Sequence, residues 1–239
     1  MPIFGVDVSH WQGAVDWNRV YNEGFRFAFC KCTEGSGFRD NRWPSHRNAL
    51  RNTQMIWGAY HYVNTSSPAA QAANCKAHLG DTSIPVALDW EANGGNVSNL
   101  RNVLAAFKAA GLRVPLLYAP RWYWSQVGGG DLAGMGVPLW ASRYVTTDGT
   151  ASQIYNSVPS SYWAAYGGLS PSILQFSSSA NVAGFASMDV NAYLGDIGQL
   201  RALIYGGATP APTPTPTPTP TRQMTNININ QLNLRYFSE

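Results

Sequence analysis

Charge is scarce in this chain. Lys, Arg, Asp and Glu make up 12% of its 239 residues, about half the usual share, and no dense Lys/Arg run occurs. A net charge of +3 suits an anionic partner such as a bacterial wall polymer. It is too small for nucleic-acid binding, which needs a concentrated basic face. Cysteine is also sparse. Cys30, Cys32 and Cys75 form an odd set with no Cys-x-x-Cys pair, which argues against a disulfide framework and leads to buried, reduced thiols. No stretch of about 18 apolar residues is present, so no membrane insertion is expected. The opening Met1-Pro-Ile-Phe-Gly-Val-Asp7 lacks the basic-then-apolar pattern of a signal peptide. His10 and His61 belong to no His-Glu-x-x-His motif, and no metal or cofactor is expected. The glycines at 128–130 do not follow a strand as a phosphate loop would, and are expected to form a flexible loop.

What is abundant is apolar and aromatic. Hydrophobic residues make up 45% of the chain, with nine Trp and twelve Tyr. Most of these rings are expected in the core, and the rest suit a groove that stacks on sugar faces. Apolar strand candidates fall at 3–9, 25–33, 56–63, 85–91, 114–119, 138–144, 162–166 and 172–177. Helical periodicity falls at 42–52, 69–79 and 97–110. The last has Leu100, Val103, Leu104 and Phe107 at helical spacing and Gly111 as its stop. Strands alternating with helices predict an α/β fold with a parallel sheet, and eight of them favour a barrel. Past residue 120 the helical pattern fades, so the expected architecture is an irregular TIM-like (β/α) barrel with helices missing in its second half.

Three units are expected: a catalytic barrel at 1–208, a Pro/Thr-rich linker at 209–221 and a short tail at 222–239. Alternating Pro and Thr forbid helix and remove ladder donors, giving a stiff spacer of roughly 40 Å. The tail is too small for a core of its own. It is expected to be disordered or β-rich, and is the candidate for any association of an otherwise monomeric protein.

Against this low charge, five acids stand inside or at the ends of apolar strands: Asp7, Glu34, Asp89, Glu91 and Asp189. A carboxylate beside a buried strand is costly unless paired, hydrogen-bonded or protonated, so five of them point to a shared acidic site. Asp89 and Glu91 are two apart in Pro85-Val-Ala-Leu-Asp-Trp-Glu91. On a strand they face the same side, with Cα atoms about 6.6 Å apart. The helix that follows puts them at the C-terminal end of a strand, where barrels carry their active sites. Crowded acids raise one another's pKa, and a general acid needs to hold its proton near neutral pH. Carboxylates in separate roles are the equipment of glycoside hydrolysis.

The motifs then fall in a recognisable order. Asp7-Val-Ser-His-Trp-Gln-Gly13, Lys31-Cys-Thr-Glu-Gly35, Gly58-Ala-Tyr-His-Tyr62, Pro85-Val-Ala-Leu-Asp-Trp-Glu91, Pro115-Leu-Leu-Tyr118, Pro138-Leu-Trp140, Leu174-Gln-Phe176 and Met188-Asp-Val-Asn191 together resemble glycoside hydrolase family 25, the Chalaropsis-type lysozymes frequent among phage endolysins. The resemblance runs from about residue 3 to 204. It implies hydrolysis, with net retention, of the β-1,4 bond between N-acetylmuramic acid and N-acetylglucosamine in peptidoglycan. Carried over by motif, Glu91 is the general acid/base. Asp89 is the second carboxylate, acting as nucleophile or by orienting the substrate's 2-acetamido group, the latter being preferred. Asp7 and Asp189 support them. Glu34, Tyr62, Tyr118 and Trp140 are the candidate substrate-binding residues, and Lys31 is the candidate ion partner of Glu34.

The architecture leads to a phage endolysin held in the host cytoplasm until lysis, with secretion by a non-classical route as the alternative. Two other functions compete. A chitinase-like acetamido-sugar hydrolase also carries Asp-x-Glu on a barrel strand, but such enzymes have a further Asp where this chain has Ala87. A non-catalytic wall-binding or virion protein would be marked by loss of an acid, and none of the matched acids is lost.

Overall fold

The computed structural model describes residues 1–207. The linker at 209–221 and the tail at 222–239 lie outside the described residues. Nine strands and seven helices follow one another: β1 (Ile3–Val8), α1 (Trp17–Asn22), β2 (Phe27–Glu34), β3 (Phe38–Arg39), α2 (Trp43–Leu50), β4 (Ile56–Tyr62), α3 (Pro68–Leu79), β5 (Val86–Asp89), α4 (Val97–Ala109), β6 (Leu117–Tyr118), α5 (Arg121–Gln126), β7 (Leu139–Ser142), α6 (Ala151–Tyr155), β8 (Pro171–Val182), β9 (Phe185–Tyr193) and α7 (Ile197–Tyr205).

The sheet order is β1-β9-β8-β7-β6-β5-β4-β2-β3, and a parallel β1–β2 pairing closes the ring. Eight strands make the barrel, while β3 hangs from the end of β2 as a hairpin partner. Within the barrel, β9 alone runs antiparallel to its neighbours, β8 and β1. A barrel has no sheet edge left to expose.

The three helices predicted from periodicity are α2, α3 and α4. The stripe Leu100, Val103, Leu104 and Phe107 of α4 is buried, and the Asn96 side chain accepts the Asn99 backbone N–H at its start. In the second half the expected loss of helix takes the form of shortening. Helix α5 has six residues and α6 five, and β8 and β9 are joined by a hairpin with no helix at all.

One predicted strand, 162–166, is absent. Ser160–Trp163 forms a 3-10 turn after Pro159, and Tyr166 makes one isolated bridge to Leu169. The rings of this aromatic run pack against the outside of the barrel, so its apolar character reflects outer-layer packing. The eighth barrel strand is β9. It reads weakly in sequence because its inward residues Asp189 and Asn191 are polar, while Met188, Val190 and Ala192 face the outer core.

That core has two parts. Between barrel and helices lie Val6, Val8, Trp43, Leu88, Trp90 and Phe107, along with all three cysteines, buried and unpaired. Inside the barrel lie Phe27, Phe29, Ile56, Ala87, Leu116 and Ile173, closed by Leu200 and Ile204 of α7. Helix α7 is tied down by the Trp57 backbone N–H donating to the Tyr205 hydroxyl at 2.8 Å. The lower barrel is therefore a dry plug. No described helix is long and apolar enough to cross a membrane.

Two glycines make room for the interior rings. A Cβ on Gly5 would lie 2.4 Å from the Phe27 ring, and one on Gly58 would lie 2.8 Å from Phe29 and 2.9 Å from the Pro85 carbonyl oxygen. Added atoms in a filled core cost about 1–3 kcal/mol. Gly5→Ala is expected to lower the melting temperature by about 5 °C in a thermal melt followed by circular dichroism. An unchanged midpoint would contradict this packing.

Candidate active site

Inward-facing residues change from apolar to polar towards the C-terminal ends of the strands. One register row crosses four neighbours, with Tyr62 of β4 beside Asp89 of β5, then Tyr118 of β6 and Trp140 of β7. Across the ring, Asp7 of β1 stands opposite Asp189 of β9. Glu91 follows β5 two residues beyond Asp89. These side chains converge. Asp7, Asp89, Glu91, Asp189, Tyr60, Tyr118, Trp140, Tyr144 and Gln175 line one cavity of about 140 Å³.

A hydrogen-bond chain fixes its floor. Asp7 Oδ2 accepts from Gln175 Nε2 at 2.9 Å and from Asn191 Nδ2 at 2.7 Å. The hydroxyls of Tyr118 and Tyr144 both donate to Gln175 Oε1, each at 2.7 Å. Trp140 Nε1 donates to Asn191 Oδ1 at 2.8 Å. Each amide is thereby held with its nitrogen towards Asp7. Asp89 is treated differently: it is 7% exposed, and its buried Oδ1 meets no hydrogen-bond donor among the described residues.

Burial is the leading cause of the raised carboxyl pKa values here. Asp7 rises to about 6, with the bonds from Asn191 and Gln175 pulling the other way. Asp189 rises to about 8 through burial and then the charges of Asp7 and Glu91. Asp89 is pushed up by burial and by Glu91, and Glu91 by burial and Asp7; in both, Lys31 acts in the opposite sense. The four acids share their protons as a coupled group. At neutral pH such a group contains both a proton donor and an ionised partner.

A second, larger cavity of about 570 Å³ adjoins the first. Glu91, Tyr118 and Tyr144 line both, and Arg121, Trp122 and Arg143 extend the second outward. A carboxylic acid at the junction of a closed pocket and an open groove is where a polymer bond would be presented for protonation.

The family profile of the glycosyl hydrolases family 25 matches residues 6–185. The chain belongs to glycosyl hydrolases family 25. Among its relatives, Lysozyme M1 of Streptomyces globisporus is 30% identical over 222 residues, covering 83% of this chain and 70% of that protein. An N,O-diacetylmuramidase of Chalaropsis is 30% identical over 169 residues, covering 61% of this chain and 80% of that protein. The crystal structure of a bacterial lysozyme from Streptomyces coelicolor is similar with a TM-score of 0.70 at 28% identity, covering 86% of this chain and 98% of that one.

In this family 25 chain the structure brings six of the eight predicted site residues into the acidic cavity: Asp7, Asp89, Glu91, Asp189, Tyr118 and Trp140. The other two, Glu34 and Tyr62, are not among its lining residues. Glu34 is held by Lys31, whose Nζ lies 2.6 Å from its Oε2. The Tyr62 hydroxyl donates to the Ala92 carbonyl at 2.7 Å, bracing the turn beyond Glu91. Glu34 still acts electrostatically on the site, adding to the burial that raises the Asp89 pKa, while the Tyr62 hydroxyl has its own pKa raised by burial and then by Glu91, Asp89 and Glu34. His10 bonds Asp40, and His61 bridges Thr33 and Gln71, so each ring is engaged within the protein.

Four participants had no assigned role in the sequence: Tyr60, Tyr144, Gln175 and Asn191. Two-residue periodicity gives Tyr60 the face of Tyr62 and Asn191 the face of Asp189. Gln175, a polar residue in an apolar strand, is the same kind of signal as Asp7. Tyr144 lies past the end of β7 and had no such signal.

The raised values fix a sign for stability. Between the ordinary carboxyl value of 3.8 and about 8 for Asp189, the folded state binds protons that the unfolded chain has released. The contribution of Asp189 to stability is therefore full below 3.8 and lost as pH rises through 8. Asp189→Asn is expected to melt higher than the wild type at about pH 8.5, with the difference shrinking towards about pH 4. Melting curves across that range check it, and a pH-independent difference would contradict it.

Proposed function

We propose that this chain is a lysozyme of the muramidase type, cleaving the β-1,4 bond between N-acetylmuramic acid and N-acetylglucosamine in peptidoglycan with net retention. The observation that carries this reading is the position of Glu91, shared between the acidic cavity and the open groove, with its pKa raised by burial and then by Asp7. The names of the relatives, a lysozyme and an N,O-diacetylmuramidase, support the substrate class.

In this reading Glu91 protonates the glycosidic oxygen as the bond to C1 breaks. The substrate's 2-acetamido carbonyl oxygen forms the new bond to C1 from the opposite face, giving a cyclic oxazolinium and the free alcohol of the leaving sugar. The Glu91 carboxylate then takes a proton from the water that attacks C1, and the acetamido group is released with configuration retained. Asp89 Oδ1, buried and without a donor among the described residues, suits the acetamido N–H when Asp89 is ionised. Burial and then Glu91 raise the Asp89 pKa, and the charge on an ionised Asp89 would stabilise the oxazolinium that forms beside it. The Gln175–Asp7–Asn191 chain keeps the floor of the site rigid while charge moves above it. The proposal includes the endolysin role read from sequence, in which a monomer accumulates in the host cytoplasm and reaches the wall at lysis.

Glu91→Gln is expected to melt like the wild type and to lose at least about 10²-fold in wall-clearing rate, the scale of a general acid. Mass spectrometry of borohydride-reduced digests by the wild type is expected to show muramitol at the new ends. Near wild-type clearing by the variant, or glucosaminitol ends, would contradict the proposal.

A further inference from the structure

The open groove beside Glu91 carries positive charge that the hydrolytic chemistry does not use. Arg121 begins α5 directly after β6, and Arg143 follows β7, so two guanidinium groups emerge from neighbouring strand ends on one side of the mouth. Both are held in place by aromatic rings. Arg121 lies 4.7 Å from the Tyr166 ring centroid and donates to the carbonyls of Ala164 and Ala165 at 2.8 and 2.7 Å. Arg143 lies 4.3 Å from the Tyr162 ring centroid, and the Tyr162 hydroxyl donates to the Tyr144 carbonyl at 3.2 Å. The ion pairs among the described residues are His10–Asp40, Arg19–Glu23, Lys31–Glu34 and Arg51–Asp81, and neither arginine is in any of them. Among the described residues Glu91 is the only acid lining this groove, and Trp122 and Tyr144, 51% and 43% exposed, give it large accessible rings.

Arg143, stacked and exposed with no carboxylate partner among the described residues, is preorganised to receive one, since the guanidinium fork matches a carboxylate and loses little freedom on binding it; Arg121, half-buried with its Nη2 given to the Ala164 and Ala165 carbonyls, adds fixed positive charge beside it. In intact peptidoglycan the lactyl carboxyl of N-acetylmuramic acid is tied up in the amide bond to the peptide, so the glycan strand itself brings no charge to meet them. The peptide attached to N-acetylmuramic acid does, through its acidic side chains and its C-terminus.

We propose that Arg121 and Arg143 form a subsite for the carboxylates of the stem peptide, so that this chain reads the peptide substituent of its substrate as well as the glycan. The inference rests on the muramidase reading above. It makes the groove a selectivity device: walls with free stem carboxylates are cleaved in preference to walls in which those groups are amidated. The attraction is partly exposed and therefore screened by salt.

The test compares wild type, Arg143→Gln and Arg143→Glu by initial rates of reducing-end release on three substrates. These are intact peptidoglycan, the same material with its stem carboxylates converted to amides by carbodiimide and ammonia, and glycan stripped of peptide by an amidase. The stripped glycan keeps only the lactyl carboxylate. On intact peptidoglycan Arg143→Gln is expected to raise KM about fivefold with kcat little changed, and Arg143→Glu to raise it further. On the amidated and stripped substrates all three proteins are expected to behave alike, with the wild type brought down to the level of Arg143→Gln. Melting curves check that each variant is folded. Equal losses on all three substrates, or no loss on any, would overturn the proposal, and a loss that persists on stripped glycan would assign the arginines to the lactyl carboxylate instead. A wild type that releases no reducing ends from intact peptidoglycan would overturn the muramidase reading itself, and this inference with it.

Discussion

Asp7 and Asp189 face one another across the β1–β9 pair, and the burial of acids at that closure is the constraint around which the rest of the mouth is arranged. Desolvated carboxyls resist ionisation, and placing two more, Asp89 and Glu91, in the same cavity strengthens that resistance. The cluster is tolerated because it is partly protonated, because Asp7 receives two amide N–H donors, and because Lys31 stands close enough to favour the charged forms of Asp89 and Glu91. Protons that offset the cost of burial are also the protons available for acid catalysis. Stability and function thus draw on the same electrostatic arrangement, and full ionisation would harm both.

The barrel separates this cluster from what stabilises the fold. Rings and aliphatic side chains fill its lower interior, with α7 as the plug, while inward residues become polar only in the uppermost rows. The antiparallel β9 is central to that division. Its outward residues join the shell core, and its inward residues deliver Asp189 and the Asn191 amide. The mouth is shaped on one side by loops after β6 and β7, which carry exposed rings and arginines on a frame of short helices. Shortening the helices in this half leaves the groove open, as a long polymer substrate requires.

Much of this was legible in the residues, for physical reasons that can be named. Two-residue spacing puts Asp89 and Glu91 on one face of any strand, and although β5 ends at Asp89 the structure brings both into one cavity. The stripe of Leu100, Val103, Leu104 and Phe107 marked α4 because its helix buries one side only. Strand β9 was hard to see because a strand whose inner face meets an acidic cavity loses the apolar alternation that identifies strands. The run at 162–166 misled for the converse reason, since aromatic residues packed on the outside of a barrel look like strand to any local pattern. Tyr144 and the paired use of Arg121 and Arg143 depend on loops from neighbouring strands meeting in space, which spacing along the chain does not record.

The central claim is that burial and mutual repulsion keep the acids at the mouth protonated well above the ordinary carboxyl range. Carbon-detected NMR titration of side-chain carboxyl groups in protein labelled at Asp and Glu measures this directly. The account predicts that Asp189 titrates near 8 and Asp7 near 6, with the curves of the cluster broadened by coupling. If all four carboxyls instead titrate near the ordinary value of about 4, the mouth is not a desolvated acid cluster and the account fails.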